Sequence, residues 1–186
     1  MHSVCEKAAD LMVQNEVISS EDKEIYVYGL KQGVILLVNI LTTLMIGLLF
    51  NKIFETIIFL VTYMPLRIYA GGYHARTQLR CYICSVVLII FVLLAIEFVA
   101  WTNFIVITIS TVSGLIIYIL SPVEDINKPL DAAEVKVYEK KTRVILFVEF
   151  ILLVLLIIYR KSKVSQCVSV SLLVLSVMLV LGKIHL

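Results

Sequence analysis

The stretch Tyr82–Trp101, "YICSVVLIIFVLLAIEFVAW", carries a single charged residue, Glu97, in 20 positions. Twenty helical residues extend about 30 Å, the thickness of a bilayer's hydrocarbon core. A helix on the surface of a soluble domain keeps a polar stripe opposite its apolar one, and this run has none. It therefore reads as a membrane span. Four other runs share its character: "VILLVNILTTLMIGLLF" (34–50), "FIVITISTVSGLIIYIL" (104–120), "VILFVEFILLVLLIIY" (144–159) and "VSVSLLVLSVMLVLG" (168–182). A sixth, "IFETIIFLVTYMPLRIY" (53–69), is shorter and holds Glu55, Pro65 and Arg67, which suggests a short, kinked or re-entrant segment.

The composition agrees. Of 186 residues, 61% are hydrophobic, well above the roughly half found in soluble domains. The expected fold is all-α, a polytopic integral membrane protein of about six transmembrane helices, forming one membrane-embedded domain over 1–186. An N-terminal amphipathic helix is expected over 1–19, where Val4, Ala8, Leu11 and Met12 recur at helical spacing opposite Glu6, Lys7, Asp10 and Gln14. Ser19 or Ser20 can cap the helix that follows. Gly29 and Gly33 stand four apart at the entrance of the first span, a spacing that permits close helix approach, although incidental glycines at a span entrance are the favoured reading. The N-terminus lacks the apolar core and cleavage site of a signal peptide, so the spans themselves are expected to direct insertion.

Orientation follows from the basic residues. With six spans both termini share one side, and twelve of the sixteen lysines and arginines fall there, against four on the other. The positive-inside rule makes that side cytoplasmic, with the "RKSK" turn (160–163) as the dissenting feature. The segment 122–142 is then a cytoplasmic loop whose second half, "DAAEVKVYEKK", favours a short helix. Anionic lipid is an expected partner of the basic face. A net charge of +2 gives no footing for nucleic acid.

Upstream of Tyr82 lies the polar gap "YAGGYHARTQLRC" (69–81). It holds His74, the only histidine away from the chain ends, and Cys81. From the residues alone two readings stay open: a Cys–His dyad, or a hydrogen-bonded histidine beside a small apolar cysteine. A metal site fits less well. Cys81 and Cys84 form C-x-x-C and His74 would add a third ligand, but a structural zinc takes four. Cys84 is expected to be a buried residue of the third span, and no cofactor is expected.

The dyad carries a geometric condition. On one continuous helix His74 and Cys81 would sit roughly 10 Å apart along the axis, too far for proton transfer. The chain must therefore turn between them. Gly71 and Gly72 free the backbone for that turn. Thr77 can cap the third span and place Cys81 in its first turn, where the helix dipole, Arg76 and Arg80 favour a thiolate.

The segment "AGGYHARTQLRC" (70–81) resembles the signature of the accessory gene regulator protein B (AgrB) family, and "SPVEDINKPL" (121–130) resembles that family's second recognisable segment. Length, span number and order of features agree as well, so the resemblance covers essentially the whole chain. It implies a membrane cysteine endopeptidase of Gram-positive quorum sensing, with His74 and Cys81 as catalytic base and nucleophile. The implied partner is an AgrD-like precursor peptide with an acidic C-terminal tail. Tail cleavage through a Cys81 thioester would lead to a thiolactone or lactone ring. Backbone N–H groups near Gly71 and Gly72 or at the start of the third span are candidates for the oxyanion hole, and Arg67, Arg76, Arg80 and Lys128 for holding the tail. For each of these cations taken singly, plain anchoring at the inner membrane face is the favoured reading. Gln78, Glu55 and Glu149 are candidates to orient His74, and a second copy of the chain is a candidate partner. The rival reading is a small peptide transporter or export partner, supported by Glu55, Glu97 and Glu149 in apolar runs.

Overall fold

The computed structural model describes residues 2–73, 77–123 and 131–184, and among them every regular element is a helix. The elements are α1 (His2–Gln14), α2 (Lys23–Leu49), α3 (Ile53–Ala70), α4 (Gln78–Phe98), α5 (Asn103–Leu120), α6 (Ala132–Ile158) and α7 (Ser162–Ile184). Five of them, α2, α3, α4, α5 and α7, are long and apolar enough to cross a membrane. The remaining apolar run, 144–159, forms the second half of α6. The protein is an all-α, multi-pass membrane protein.

The chain divides into two compact units, 1–45 and 46–186. In the first, α1 is shorter than the expected 1–19. It ends at Gln14, and Glu16 turns the chain with φ 55°. Cys5 and Ala9 are its buried positions, while Val4 and Leu11 remain exposed. The Ser19 hydroxyl accepts from the Asp22 N–H at 3.2 Å, just before α2 begins at Lys23. Lys23 pairs with Asp10 at 2.5 Å and so ties α2 back to α1.

In the second unit α7 is the central helix and packs against α3, α4, α5 and α6. Its sequence explains why. Ser165, Ser169, Ser171 and Ser176 are all buried, and such small side chains let neighbouring helices come close. Their hydroxyls would be costly in an apolar interior if unpaired. Ser165, Ser171 and Ser176 donate to carbonyls three residues back at 2.7–2.8 Å, so the packing leaves those groups satisfied. The outward faces of the helices carry Phe91, Phe104, Phe147 and Val154, all exposed, as a lipid-facing surface requires.

Two sequence expectations change. The short α3 is helical throughout, Pro65 included; its 18 residues extend about 27 Å. The second half of the expected loop 122–142 is not a separate short helix. Glu134 accepts the Asp131 N–H at 3.1 Å, and from there α6 runs unbroken to Ile158. No glycine or proline lies between the cap and the apolar run, so nothing stops the helix once it has started.

Candidate active site

The site is built where α3 ends and α4 begins. Gly71 follows α3 with φ 72° and ψ −145°, a backbone region essentially reserved for glycine. Gly72 continues with φ 122°. The turn they make is held from three directions. The Val123 N–H donates to the Ala70 carbonyl at 2.9 Å, and Gly71 and Val123 form a parallel bridge. The Tyr73 N–H donates to the Met178 carbonyl on α7 at 2.8 Å. The Arg67 guanidinium, one turn back on α3, donates to the Gly71 carbonyl and, at 2.5 Å, to the Tyr73 carbonyl.

The other side of the gap starts with Thr77. Its hydroxyl accepts from the Arg80 N–H at 3.3 Å and its carbonyl from the Cys81 N–H at 3.0 Å. Thr77 is thus the N-cap of α4, and Cys81 lies in the first turn. Ser85 donates to the Cys81 carbonyl at 3.0 Å, and the Cys81 thiol is half-buried and not in a disulfide. α3 ends at Ala70 and α4 begins at Gln78, so no continuous helix runs from Gly71 to Cys81; the turn of His74 toward the Cys81 sulfur, the other half of the condition a dyad sets, falls outside the described residues. His74, Arg76 and Lys128 lie outside the described residues.

The remaining candidates separate by location. Arg67, a candidate for holding the peptide tail, has both its terminal nitrogens on backbone carbonyls. Arg80 is exposed on the first turn of α4. Cys84 is exposed rather than buried; the buried stripe of α4 runs through Ile89, Val92, Leu93 and Ile96, and position 84 falls outside it. Glu55 sits at the start of α3, about 22 Å along the axis from Ala70, and so cannot reach the gap. Glu97, at the far end of α4, pairs with Lys52, whose ammonium is held above its ordinary range by that hydrogen bond. Glu149 is buried on α6, and its Oε2 finds no hydrogen-bond partner among the described residues. Gln78 is exposed as the first residue of α4.

Tyr69, one residue before the end of α3, meets the Tyr138 ring edge-on at 5.7 Å, and the Lys141 ammonium lies 4.7 Å from the Tyr69 ring centre. On the same half of α6, Lys136, Lys140 and the Glu139–Arg143 ion pair line an open groove of about 390 Å³ with Val144 and Phe147 at its apolar foot.

Sequence reasoning missed Val123 and Met178. Val123 is the third residue of the second recognisable segment, and the structure seats it on Gly71 of the first. Met178 acts through its backbone carbonyl, so no side-chain type announces it.

Comparison with known proteins agrees with this architecture. The family model described as accessory gene regulator B matches residues 5–179. An AgrB-like protein 2 of Clostridium perfringens (strain 13 / Type A) is 32% identical over 148 residues, covering 73% of this chain and 69% of the relative. An AgrB-like protein of Clostridium perfringens (strain SM101 / Type A) is 30% identical over 148 residues, with the same shares covered. No solved structure matches.

Proposed function

Because the chain belongs to the accessory gene regulator B family, we propose that it is a membrane cysteine endopeptidase that trims and cyclises an AgrD-like precursor peptide. The observation that carries this reading is the break between α3 and α4, which leaves Cys81 in a capped first turn and ties the approach to His74 against Val123 and Met178. Such a break is what a base and a nucleophile seven residues apart require.

In this reading His74 takes the proton of Cys81, and the thiolate attacks the scissile carbonyl of the precursor. The imidazolium then protonates the leaving amine and the C-terminal tail departs. The signal portion stays on Cys81 as a thioester. A cysteine thiol or a serine hydroxyl within the peptide attacks that thioester, forms the thiolactone or lactone, and returns Cys81. Thioester exchange is nearly balanced in energy, so no ATP is needed, and a site that excludes water favours ring closure over hydrolysis. Backbone N–H groups in the first turn of α4 suit the oxyanion. The acidic tail finds complementary charge in Arg80 and in Lys136 and Lys140 of the groove, where Arg143 is already paired with Glu139. By the distribution of basic residues the site faces the cytoplasm.

The test is co-expression with an AgrD-like peptide, following tail release by mass in the wild type and in Cys81→Ala and His74→Ala. The expected result is loss of cleavage in both variants. Cleavage by both would remove the dyad. Movement of unshortened peptide across the membrane would instead identify a transporter.

A further inference from the structure

The backbone of α7 passes under the polar gap at one point. The Tyr73 N–H donates to the Met178 carbonyl at 2.8 Å, although Met178 lies inside α7 and its carbonyl already faces the next helical turn. One turn later Gly182 is buried. A Cβ on Gly182 would come within 2.7 Å of the Tyr73 nitrogen and 2.8 Å of the Gly72 carbonyl carbon. All these atoms are backbone, so no side chain can swing aside to admit a methyl group. Gly182 has an ordinary helical backbone, hence its use here is close approach rather than an unusual φ. Glycine within a helix costs about 1 kcal/mol relative to alanine, a cost that close contact with another segment can offset.

We propose that Gly182 and the Met178 carbonyl form a docking seat on α7 that positions the chain leading into His74, making Gly182 a positioning residue for the peptidase reaction. The catalytic part rests on the peptidase reading; the seat itself does not. Tyr73 immediately precedes His74. A shift at Tyr73 therefore moves the base relative to Cys81, which is fixed separately by the Thr77 cap on α4. Misplacement by about 1 Å can cost two orders of magnitude in rate without touching substrate affinity. Gly182 also lies beyond residues 5–179, the part matched to the family.

The experiment compares the wild type with Gly182→Ala and with a backbone amide-to-ester replacement at Tyr73, made with the hydroxy-acid analogue of tyrosine. The ester removes one N–H donor and leaves every side chain in place, so it remains informative if Gly182→Ala folds poorly. Val180→Ala, on the exposed face of α7, is the control. Two readouts are taken on the full chain in membranes. One is kcat and KM for tail release; the other is amide hydrogen exchange of the 69–81 segment. The expected result is at least a tenfold fall in kcat with KM unchanged for Gly182→Ala and the ester. Gly182→Ala should also speed exchange in the segment, and Val180→Ala should behave as wild type. Unchanged exchange in Gly182→Ala overturns the seat. Faster exchange with unchanged kcat overturns its positioning role. If the wild type releases no tail from any AgrD-like peptide, the peptidase reading fails and the positioning role with it, while exchange still decides whether the seat exists.

Discussion

Arg67 and Tyr73 are joined by a hydrogen bond of 2.5 Å from the guanidinium to the backbone carbonyl, and the same guanidinium holds the Gly71 carbonyl. The planar fork suits two carbonyls flanking a tight turn, which a lysine ammonium could not span in the same way. Hydrogen bonds to charged groups contribute about 1.5–3 kcal/mol each. Arg67→Ala is therefore expected to lower kcat at least tenfold with KM little changed, and Arg67→Lys to fall between the two. Were Arg67 to read the acidic tail instead, KM would rise, and neutralising the tail carboxylates would erase the difference between wild type and variant. Steady-state kinetics with acidic and amidated tails separate the two roles.

Gly71 combines φ 72° with direct contact to the Val123 backbone. An alanine there meets both a conformational penalty of about 1–3 kcal/mol and a steric one. Gly71→Ala is expected to abolish or nearly abolish tail release while the helical circular dichroism signal is retained, since the change lies outside α3 and α4. Activity within twofold of wild type would show that the bridge to Val123 does not support the site.

The span pattern and the gap are legible in the sequence because both rest on local signals. Apolar runs report lipid exposure directly, and Gly71, Gly72 and Thr77 are residue types with a specific backbone use. The order α3, break, α4 follows from them. What escaped was long-range and carried by backbone. Met178 and Val123 reach the gap through carbonyl and amide groups that every residue possesses. Arg67 looked available because a charge near a membrane edge reads as anchor or ligand binder, and only its distance to two carbonyls reveals the clamp. Cys84 was misplaced for a different reason. In a helix apolar on all sides no sequence stripe marks the inward face, so burial around the axis is undetermined until neighbours are known. The continuity of α6 was missed because its charged first half looked like a loop composition, although nothing in it breaks a helix.

Gly29 and Gly33 on α2 meet no atom within 4 Å where a Cβ would stand. In a helix interior each should stabilise by about 1 kcal/mol when replaced by alanine. The double variant is expected to raise the thermal midpoint in detergent and leave tail release unchanged. A loss of chemical cross-linking between copies in the same variant would place these glycines at a contact between two chains.

Thr77 couples helix capping to the nucleophile. Its hydroxyl accepts the Arg80 N–H and its carbonyl the Cys81 N–H, so the first turn of α4 is fastened at the residue next to Cys81 and at Cys81 itself. Removing an N-cap hydroxyl costs about 1 kcal/mol, borne by that turn rather than by the bundle. Thr77→Ala is therefore expected to slow tail release several-fold, with little change in the global thermal midpoint. Thr77→Ser and Thr77→Asn, which restore a capping acceptor, should recover most of the rate. Thr77→Val, matched in shape but without the acceptor, should resemble alanine. If valine were as active as threonine, packing of the side chain rather than its hydrogen bond would be what holds Cys81 in place, and kinetics across the four variants decide between them.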